Sequence, residues 1–439
     1  MCPAPDRPNV IVFFTDQQRW DTCGCYGSPL GLTPNLDAMA AAGTRVQTAC
    51  TCQPVCGPAR ASLQTGLYAT ATGNFRNSAV PLTTDRTIAR YFKDAAYRTG
   101  YVGKWHLSTG DGRAPVPPAH RVGYDTWLGS DVLEFTSHPY EGRMFDGDGR
   151  AVEFKQWRTD FMTERALQYI DAGGGPFFLM ISYLEPHFQN DMKRFVAPDG
   201  YADRYRNAWV PEDLRGVPGD WGLELADYYG LCAKLDENLG TILGHLRSRG
   251  LTGHTVVAFT SDHGCHFRTR NDEYKRSCHE SSLRIPMVFA GGPFDRRAVL
   301  PELVSLVDLP PTLLDAAGLP VPGHMHGRSI LPLLDRRNDD WPAEVFVQIS
   351  ESEVGRCIRT ARWKYSVFAP DRDPVKDAGS DRYVERYLYD LAADPHEKAN
   401  LAGRRDHRAI ADDLRGRLIA RMVAAGEAAP TIDPARYYA

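Results

Sequence analysis

The sequence of residues 10–16 is Val-Ile-Val-Phe-Phe-Thr-Asp. Five consecutive apolar residues, β-branched or aromatic, end abruptly at Thr15 and Asp16. An unbroken apolar run of this kind is typical of a strand that is buried on both faces of a parallel sheet. The run therefore predicts a central parallel strand that delivers the Asp16 carboxylate at its carboxyl end.

The same pattern recurs along the chain. Apolar runs at residues 99–103, 177–183 and 256–260 also end close to ionisable residues, and a further run of this kind covers 285–290. Because ligands of parallel sheets bind beyond the carboxyl ends of the strands, we expect these polar residues to share one site. They are Lys104, Glu185, His187, Asp262 and His263.

Helical patterns lie between the strand-like runs. Thr33 as N-cap, Pro34 in the first turn and Gly43 at the end mark one helix, and apolar spacing of three and four residues predicts a longer one over 226–249. Strands that alternate with helices predict an α/β fold: a large, mostly parallel sheet sandwiched by helices.

The last hundred residues have a different pattern of shorter, alternating strands. This change predicts a small C-terminal antiparallel α+β subdomain, so we expect a catalytic domain over residues 1–340 and a subdomain over 341–439. The expected strands cover 345–349, 357–360 and 363–368, and a final helix covers 409–424.

Composition narrows the classes of function. Lys and Arg number 51 against 55 Asp and Glu, interleaved along 439 residues, so neither a nucleic-acid partner nor a membrane surface is expected. The longest apolar stretch, 176–184, is too short to span a bilayer, and the N-terminus shows no apolar signal region. A cytoplasmic location is therefore expected for the chain as written.

The chain has ten cysteines, five of them crowded into residues 23–56. A structural zinc site is one interpretation, but single-residue spacings do not match the two to four residues of zinc ribbons and fingers. We therefore expect buried or incidental thiols: Cys23, Cys25, Cys50 and Cys52.

Residues 56–66, Cys-Gly-Pro-Ala-Arg-Ala-Ser-Leu-Gln-Thr-Gly, form the most specific segment. Pro58 suits the first turn of a helix, which places Cys56 at a helix N-terminus where free N–H groups favour an anion. A cysteine in that position is a poised nucleophile.

Cys-x-Pro-x-Arg with Thr65-Gly66 resembles the signature of the type I sulfatases, members of the alkaline phosphatase superfamily. Nearly the whole chain shares the resemblance, which implies an alkaline phosphatase-like fold and a sulfuric ester hydrolase. The other matching motifs, in the family's order, are Gly103-Lys104-Trp105-His106-Leu107, Glu185-Pro186-His187, Ser261-Asp262-His263-Gly264, Tyr274-Lys275-Arg276-Ser277, and Leu388-Tyr389-Asp390-Leu391 with Asp394-Pro395.

The resemblance implies that Cys56 is converted to formylglycine by a formylglycine-generating enzyme, with Pro58 and Arg60 as recognition residues. A hydrated aldehyde carries two hydroxyls on one carbon, so one can take the sulfate covalently and the other can then expel it. By resemblance, the residues around a sulfate ester substrate are Arg60, Lys104 and Lys275 as cations, His106 on the hydrated aldehyde, and His187 on the sulfate or leaving oxygen.

The resemblance also implies one divalent metal, most often Ca in the family, with Mg or Mn as alternatives. Gln17 stands where many members have Asp, and His263 stands where Asn is common. An imidazole ligand suits Mn, Fe or Zn better than Ca or Mg. The implied ligands are Asp16, Gln17, oxidised Cys56, Asp262 and His263.

The Asp-Gln and Asp-His pairs also resemble choline sulfatases and phosphonate monoester hydrolases. A phosphonate monoester or phosphodiester hydrolase is therefore an alternative, and a catalytically silent binding protein is a third. The alcohol of the ester stays open between an aryl, a choline-like and a sugar group. The loops expected to build the specificity pocket are 110–127, 136–157 and 188–221, and further candidate contacts are Arg76, Asn190, Asp191, His266, Arg268 and Arg270.

Overall fold

The computed structural model describes residues 7–436, which contain a large eleven-stranded sheet and a small five-stranded sheet. The strands of the large sheet are β1 Asn9–Thr15, β2 Thr44–Cys50, β3 Arg98–Lys104, β4 Thr126–Ser130, β5 Gly142–Asp146, β6 Ala151–Phe154, β7 Phe177–Ser182, β8 Thr255–Ser261, β9 Arg284–Ile285, β10 Met287–Ala290 and β11 Ala298–Ser305. Those of the small sheet are β12 Glu344–Ile349, β13 Gly355–Thr360, β14 Trp363–Phe368, β15 Arg382–Asp390 and β16 Thr431–Asp433.

Helices cover the large sheet on both faces. None of the helices in residues 7–436 combines the length and the apolarity that a membrane crossing requires. They are α1 Pro34–Ala42, α2 Cys56–Thr65, α3 Ala69–Thr72, α4 Ile88–Asp94, α5 Leu133–Thr136, α6 Arg158–Asp171, α7 Trp221–Ser248, α8 Glu280–Leu283, α9 Leu309–Ala316, α10 Leu331–Leu334 and α11 Arg408–Ala424.

Strand β1 lies near the middle of the large sheet, in the order β11-β2-β10-β8-β1-β7-β3-β4-β5-β6. The five strands β8, β1, β7, β3 and β4 are parallel. Val12 and its alternate neighbours pack into the apolar core on one face, while Ile11 and Phe13 pack into the core on the other. Burial on both faces is why the run is apolar without interruption, and the predicted α/β fold class is confirmed.

Residues 285–290 do not form one parallel strand, so that expectation is wrong. The run divides into β9 and β10, and both are antiparallel to their neighbours. Pro286 separates them because it has no N–H to give to a ladder. Its carbonyl accepts a hydrogen bond from Thr260 Oγ1 at 2.8 Å.

Helix α1 begins at Pro34 as predicted, but Thr33 makes no side-chain capping bond. The Asp236 carboxylate of α7 accepts from the N–H groups of Asn35 and Leu36 instead, at 2.9 and 2.8 Å. Helix α7 begins at Trp221, five residues before the predicted 226. Because Asp236 of α7 caps α1, it ties two sequence-distant helices together.

In the small sheet, β12, β13, β14 and β15 are antiparallel, and β16 is parallel to β15. The three strands and the final helix predicted for this region are confirmed within two residues. Strand β15 was not predicted because its alternating charged and aromatic residues do not form an apolar run. The domain boundary between residues 340 and 341 stays a prediction.

Candidate active site

A cleft of about 270 Å³ opens beyond the carboxyl ends of the central parallel strands. Asp16 directly follows β1, Asp262 directly follows β8, and Lys104 is the last residue of β3. The predicted residues that line the cleft are Gln17, Cys56, His106, His187 and Lys275. Sheet topology therefore gathers residues that are up to 259 positions apart in the chain, as Asp16 and Lys275 are.

Cys56 is the first residue of α2, as predicted, and all ten residues of that helix are buried. The Gly57 N–H donates to Asn77 Oδ1 at 2.9 Å, and a Cβ on Gly57 would lie 3.0 Å from the same oxygen. The glycine therefore lets Asn77 approach the helix start closely. The atoms around Cys56 Sγ are Lys275 Nζ at 2.9 Å, His263 Nε2 at 3.4 Å, Asp16 Oδ1 at 3.5 Å and Lys104 Nζ at 3.9 Å.

This environment stabilises negative charge at position 56. Burial alone would raise the pKa of the Cys56 thiol, but Lys104 and Lys275 outweigh burial and place its pKa well below the ordinary value. The surroundings therefore favour the thiolate form of Cys56 over the thiol. The same cations would stabilise any anionic oxygen that replaced the sulfur.

Arg60 and Lys104 lie beneath the cleft rather than along its wall. Arg60 Nη2 contacts Asp16 Oδ2 at 2.9 Å, and Arg60 Nη1 donates to Ser182 Oγ at 2.6 Å. Lys104 Nζ also contacts Asp16 Oδ2 at 2.9 Å. The two cations, both fully buried, hold Asp16 in place and supply positive charge from below Cys56.

His187 and Lys275 form a pair on the wall of the cleft. Their Nε2 and Nζ atoms are 3.1 Å apart, and His187 Nδ1 lies 2.6 Å from the Phe188 carbonyl oxygen. The carbonyl accepts the Nδ1 proton, so Nε2 is left to accept from Lys275. Burial, Lys275 and Lys104 all lower the pKa of His187, which is therefore neutral at pH 7.

His106 lines the cleft beside Cys56 and has a left-handed backbone, with φ of 58°. Its N–H donates to the Asp131 carbonyl at 2.8 Å. The ring Nδ1 is buried and has no hydrogen-bond partner in the structure. His106 is thus held by its backbone while its ring faces the position of the nucleophile.

Asp16, Cys56, Asp262 and His263 form a candidate metal centre. One ligand atom from each lies within 4.8 Å of every other, and all four residues are buried. His263 Nδ1 lies 2.9 Å from the Gly264 carbonyl oxygen, which leaves Nε2 with a free lone pair. The donor set of two carboxylates, one imidazole and the residue at position 56 fits a divalent cation.

The electrostatics of the two carboxylates also fit a cation. Asp262 Oδ2 is buried without a hydrogen-bond partner. Burial and the neighbouring Asp16 raise the pKa of Asp262 to about 7, while Lys104, His187 and Arg60 offset burial and lower that of Asp16. A divalent ion between the two carboxylates would remove their repulsion.

Gln17 lies next to this group and has φ of 70°. Its N–H donates to Asp262 Oδ1 at 2.9 Å, whereas its side-chain Nε2 donates to Cys265 Sγ at 3.4 Å. The buried hydroxyl of Tyr228 donates to the Gln17 carbonyl at 2.7 Å and accepts from the Arg19 N–H at 2.8 Å. Helix α7 therefore holds the loop that carries Asp16 and Gln17.

Of the further candidates for substrate contact, Asn190 lines the cleft. The others bind their own neighbours: Arg270 donates to the carbonyls of His396 and Glu397, and His266 contacts the Lys275 carbonyl. Arg76, Asp191 and Arg268 likewise contact Asn77, Gln189 and Asp220. The loops at 110–127 and 188–221 contribute to the cleft, but no residue of 136–157 lines it.

The cleft residues that sequence reasoning missed are Asn77, Ser78, Val132, Glu134, Phe135 and Glu273. Glu134 lies on the single turn α5, and Asn77 lies on an irregular loop. Neither has a motif neighbour, and only the fold brings them to Cys56. The crowded cysteines are free, and within residues 7–436 Cys56 is the one that joins a metal-capable cluster.

Comparison with known proteins places these features in context. Residues 8–319 match the family model "Sulfatase", and residues 272–424 match the model "N-sulphoglucosamine sulphohydrolase, C-terminal". The chain is similar to the sulfatase YidJ of Escherichia coli K12, with 30% identity over 90% of this chain and 83% of that protein. It is also similar to an ulvan-active sulfatase of Formosa agariphila, with 28% identity over 96% of this chain and 82% of that one.

The fold has close structural counterparts. The crystal structure of a YidJ sulfatase from Bacteroides fragilis superposes with a TM-score of 0.85. That match covers 97% of this chain and 98% of the other at 24% identity. The arrangement of both sheets is thus shared with a solved structure.

Proposed function

The chain belongs to the sulfatase family and is a sulfuric ester hydrolase, and from this premise we propose that it acts through formylglycine formed from Cys56 and a divalent metal. The observation that carries the proposal is the placement of Cys56 Sγ, with Lys275, His263, Asp16 and Lys104 all within 3.9 Å. A hydrated formylglycine there would supply two hydroxyls on one carbon, one to take the sulfate and one to release it.

Asp16, Asp262, His263 and the residue at position 56 would hold the metal, with Gln17 adjacent to them. A divalent ion in that place would supply Lewis-acid chemistry to an oxygen at position 56. The chain's own cations supply the remaining electrostatic stabilisation. Lys104 and Arg60 act from below the cleft and Lys275 acts from its wall, so positive charge surrounds the sulfate before any reaction begins.

The proton for the leaving alcohol is assigned to the pair of Lys275 and His187. His187 is neutral, and its Nε2 lies 3.1 Å from Lys275 Nζ, which is a hydrogen-bond donor. As the S–O bond of the ester breaks, a proton from this pair moves to the leaving oxygen. His106, which also lines the cleft, would hold the hydrated aldehyde or accept a proton from it.

A phosphonate monoester or phosphodiester hydrolase is the second candidate. The presence of Gln17 and His263 at the candidate metal centre favours it, because the Asp-Gln and Asp-His pairs resemble those of phosphonate monoester hydrolases. The full cationic set of Arg60, Lys104 and Lys275 favours the sulfate ester. Aryl, choline-like and sugar sulfates all present the same sulfate to this set.

The test uses protein coexpressed with a formylglycine-generating enzyme. Mass spectrometry of the peptide that contains Cys56 should show loss of the sulfur and an aldehyde or its hydrate. Exhaustive chelation should abolish turnover of a sulfate ester panel, and metal analysis should show that Asp262→Ala no longer retains the ion. Full activity with an unmodified thiol, or without metal, would contradict the proposal. Faster turnover of phosphonate esters would favour the second candidate.

A further inference from the structure

Glu134 is a buried carboxylate that the proposed mechanism does not use. It lies on α5, the single helical turn that follows β4. The residue is 4% exposed, and it lines the cleft, as His106 and His187 do. A carboxylate beside a site for anionic esters is unexpected, because it repels the substrate.

The charge of Glu134 is only partly compensated. Its Oε1 lies 3.4 Å from Lys104 Nζ, but that ammonium lies closer, at 2.9 Å, to Asp16 Oδ2. Its Oε2 is buried and has no hydrogen-bond partner. Solvent therefore does not screen this oxygen. The Lys104 ammonium is shared between the carboxylates of Glu134 and Asp16.

Glu134 is ionised at neutral pH. Burial alone would raise its pKa, but the neighbouring Lys104 ammonium outweighs burial and leaves the pKa below the ordinary value. Lys104 belongs to the predicted catalytic set. The carboxylate consequently lies within the electrostatic field of the site, separated from Cys56 by the Lys104 side chain.

We infer that Glu134 determines the charge selectivity of the cleft, favouring esters that carry one negative charge over phosphate monoesters that carry two. The inference rests on the proposed function for the identity of the site. Lys104, Lys275 and Arg60 attract the first negative charge of any ester. A second negative charge on the ester meets the partly compensated Glu134 carboxylate in a medium of low dielectric constant.

Three esters of 4-nitrophenol separate charge from chemistry. The sulfate ester and a phosphonate monoester each carry one negative charge at pH 8, whereas the phosphate monoester carries two, since its second pKa is about 6. With matured protein, Glu134→Gln should raise kcat/KM for the phosphate ester relative to the phosphonate ester by about tenfold or more. The ratio of kcat/KM for the phosphonate ester to that for the sulfate ester should stay unchanged.

Three further variants complete the test. Glu134→Ala also removes the charge and should shift the ratio in the same direction, while Glu134→Asp keeps the charge and should keep the discrimination. Glu153→Gln is the matched control, because it removes an exposed carboxylate of β6 outside the cleft.

The inference is overturned if Glu134→Gln and Glu134→Ala change kcat/KM for all three esters by the same factor. It is also overturned if Glu134→Asp, which keeps the charge, loses the discrimination against the phosphate ester. The decisive quantity is the ratio of kcat/KM for the two phosphorus esters, which does not require turnover of the sulfate ester. Failure of the sulfate ester to react would instead contradict the proposed function. The two failures are therefore distinguishable.

Discussion

Lys275 is the cation closest to Cys56, with Nζ 2.9 Å from Sγ. Removal of one charge-assisted contact of about 1.5–3 kcal/mol should lower kcat/KM for a sulfate ester about ten- to a hundredfold, so we predict this loss for Lys275→Ala. The measurement is steady-state turnover of an aryl sulfate by matured protein. Lys155→Ala removes an exposed lysine outside the cleft and should leave the rate unchanged. An unchanged kcat/KM in Lys275→Ala would contradict the role proposed for Lys275.

The buried side chain of His266 makes the unfolding free energy depend on pH. Its Nε2 lies 2.9 Å from the Lys275 carbonyl, its Nδ1 has no partner, and burial lowers its pKa from 6.5 to about 4. The unfolded chain therefore binds a proton that the folded chain rejects between these two pH values. The stability that this neutral histidine contributes is complete above pH 6.5 and is lost as pH falls towards 4.

We accordingly predict that the unfolding free energy of the wild type falls relative to that of His266→Gln over this window, by up to about 3 kcal/mol. Urea titrations at closely spaced pH values measure the difference. A difference that does not vary between pH 4 and 6.5 would contradict the assignment.

At the scale of elements, α2 carries both Cys56 and Arg60, and its last residue is followed by the C-cap Gly66, which has φ of 71°. A Cβ at that position would lie 2.8 Å from Met325 Cγ, and the left-handed backbone disfavours any side chain. Gly66→Ala should therefore lower the unfolding free energy by about 1–2 kcal/mol.

Gly416 is the matched control for this prediction. It lies in the exposed interior of α11, where a Cβ would meet no atom within 4 Å. Gly416→Ala should raise the unfolding free energy by about 0.5–1 kcal/mol, since alanine is the better helix former. Chemical denaturation of both variants checks the opposite signs, and equal effects would show that the Gly66 backbone is not the cause.

At the scale of the whole molecule, a buried charge network joins the two sheets. Lys364 Nζ of β14 contacts Glu280 Oε1 of α8 at 2.8 Å and Glu397 Oε1 at 2.5 Å. Arg359 Nη2 of β13 contacts the other Glu280 oxygen at 3.2 Å. Helix α8 begins five residues after Lys275, so the small sheet also anchors the segment that carries this cation.

Replacement of Lys364 by Met would leave Glu397 and part of Glu280 without a compensating charge in a buried position. We predict a loss of about 3–5 kcal/mol of unfolding free energy for Lys364→Met. Lys376→Met, which removes an exposed pair with Asp373, should cost less than about 1 kcal/mol. Comparable losses in the two variants, measured by urea unfolding, would contradict a role for the network in joining the sheets.

The sequence by itself determined the fold class and most of the candidate site. Apolar runs such as residues 10–14 identify strands buried on both faces, and polar residues at their ends must meet at one edge of a parallel sheet. Local pattern also placed Cys56 at a helix start, because Pro58 and Gly66 act within one or two turns. These features depend on local backbone stereochemistry, which is set by residues that are close in the sequence.

Only the tertiary structure decided the rest. The antiparallel direction of β10, the capping of α1 by Asp236 and the approach of Glu134 to Lys104 each join segments that are distant in the chain. No periodicity records such contacts, because they depend on how whole elements pack. The partial compensation of Glu134 and the depressed pKa of Cys56 arise only when burial and several distant charges act on one atom.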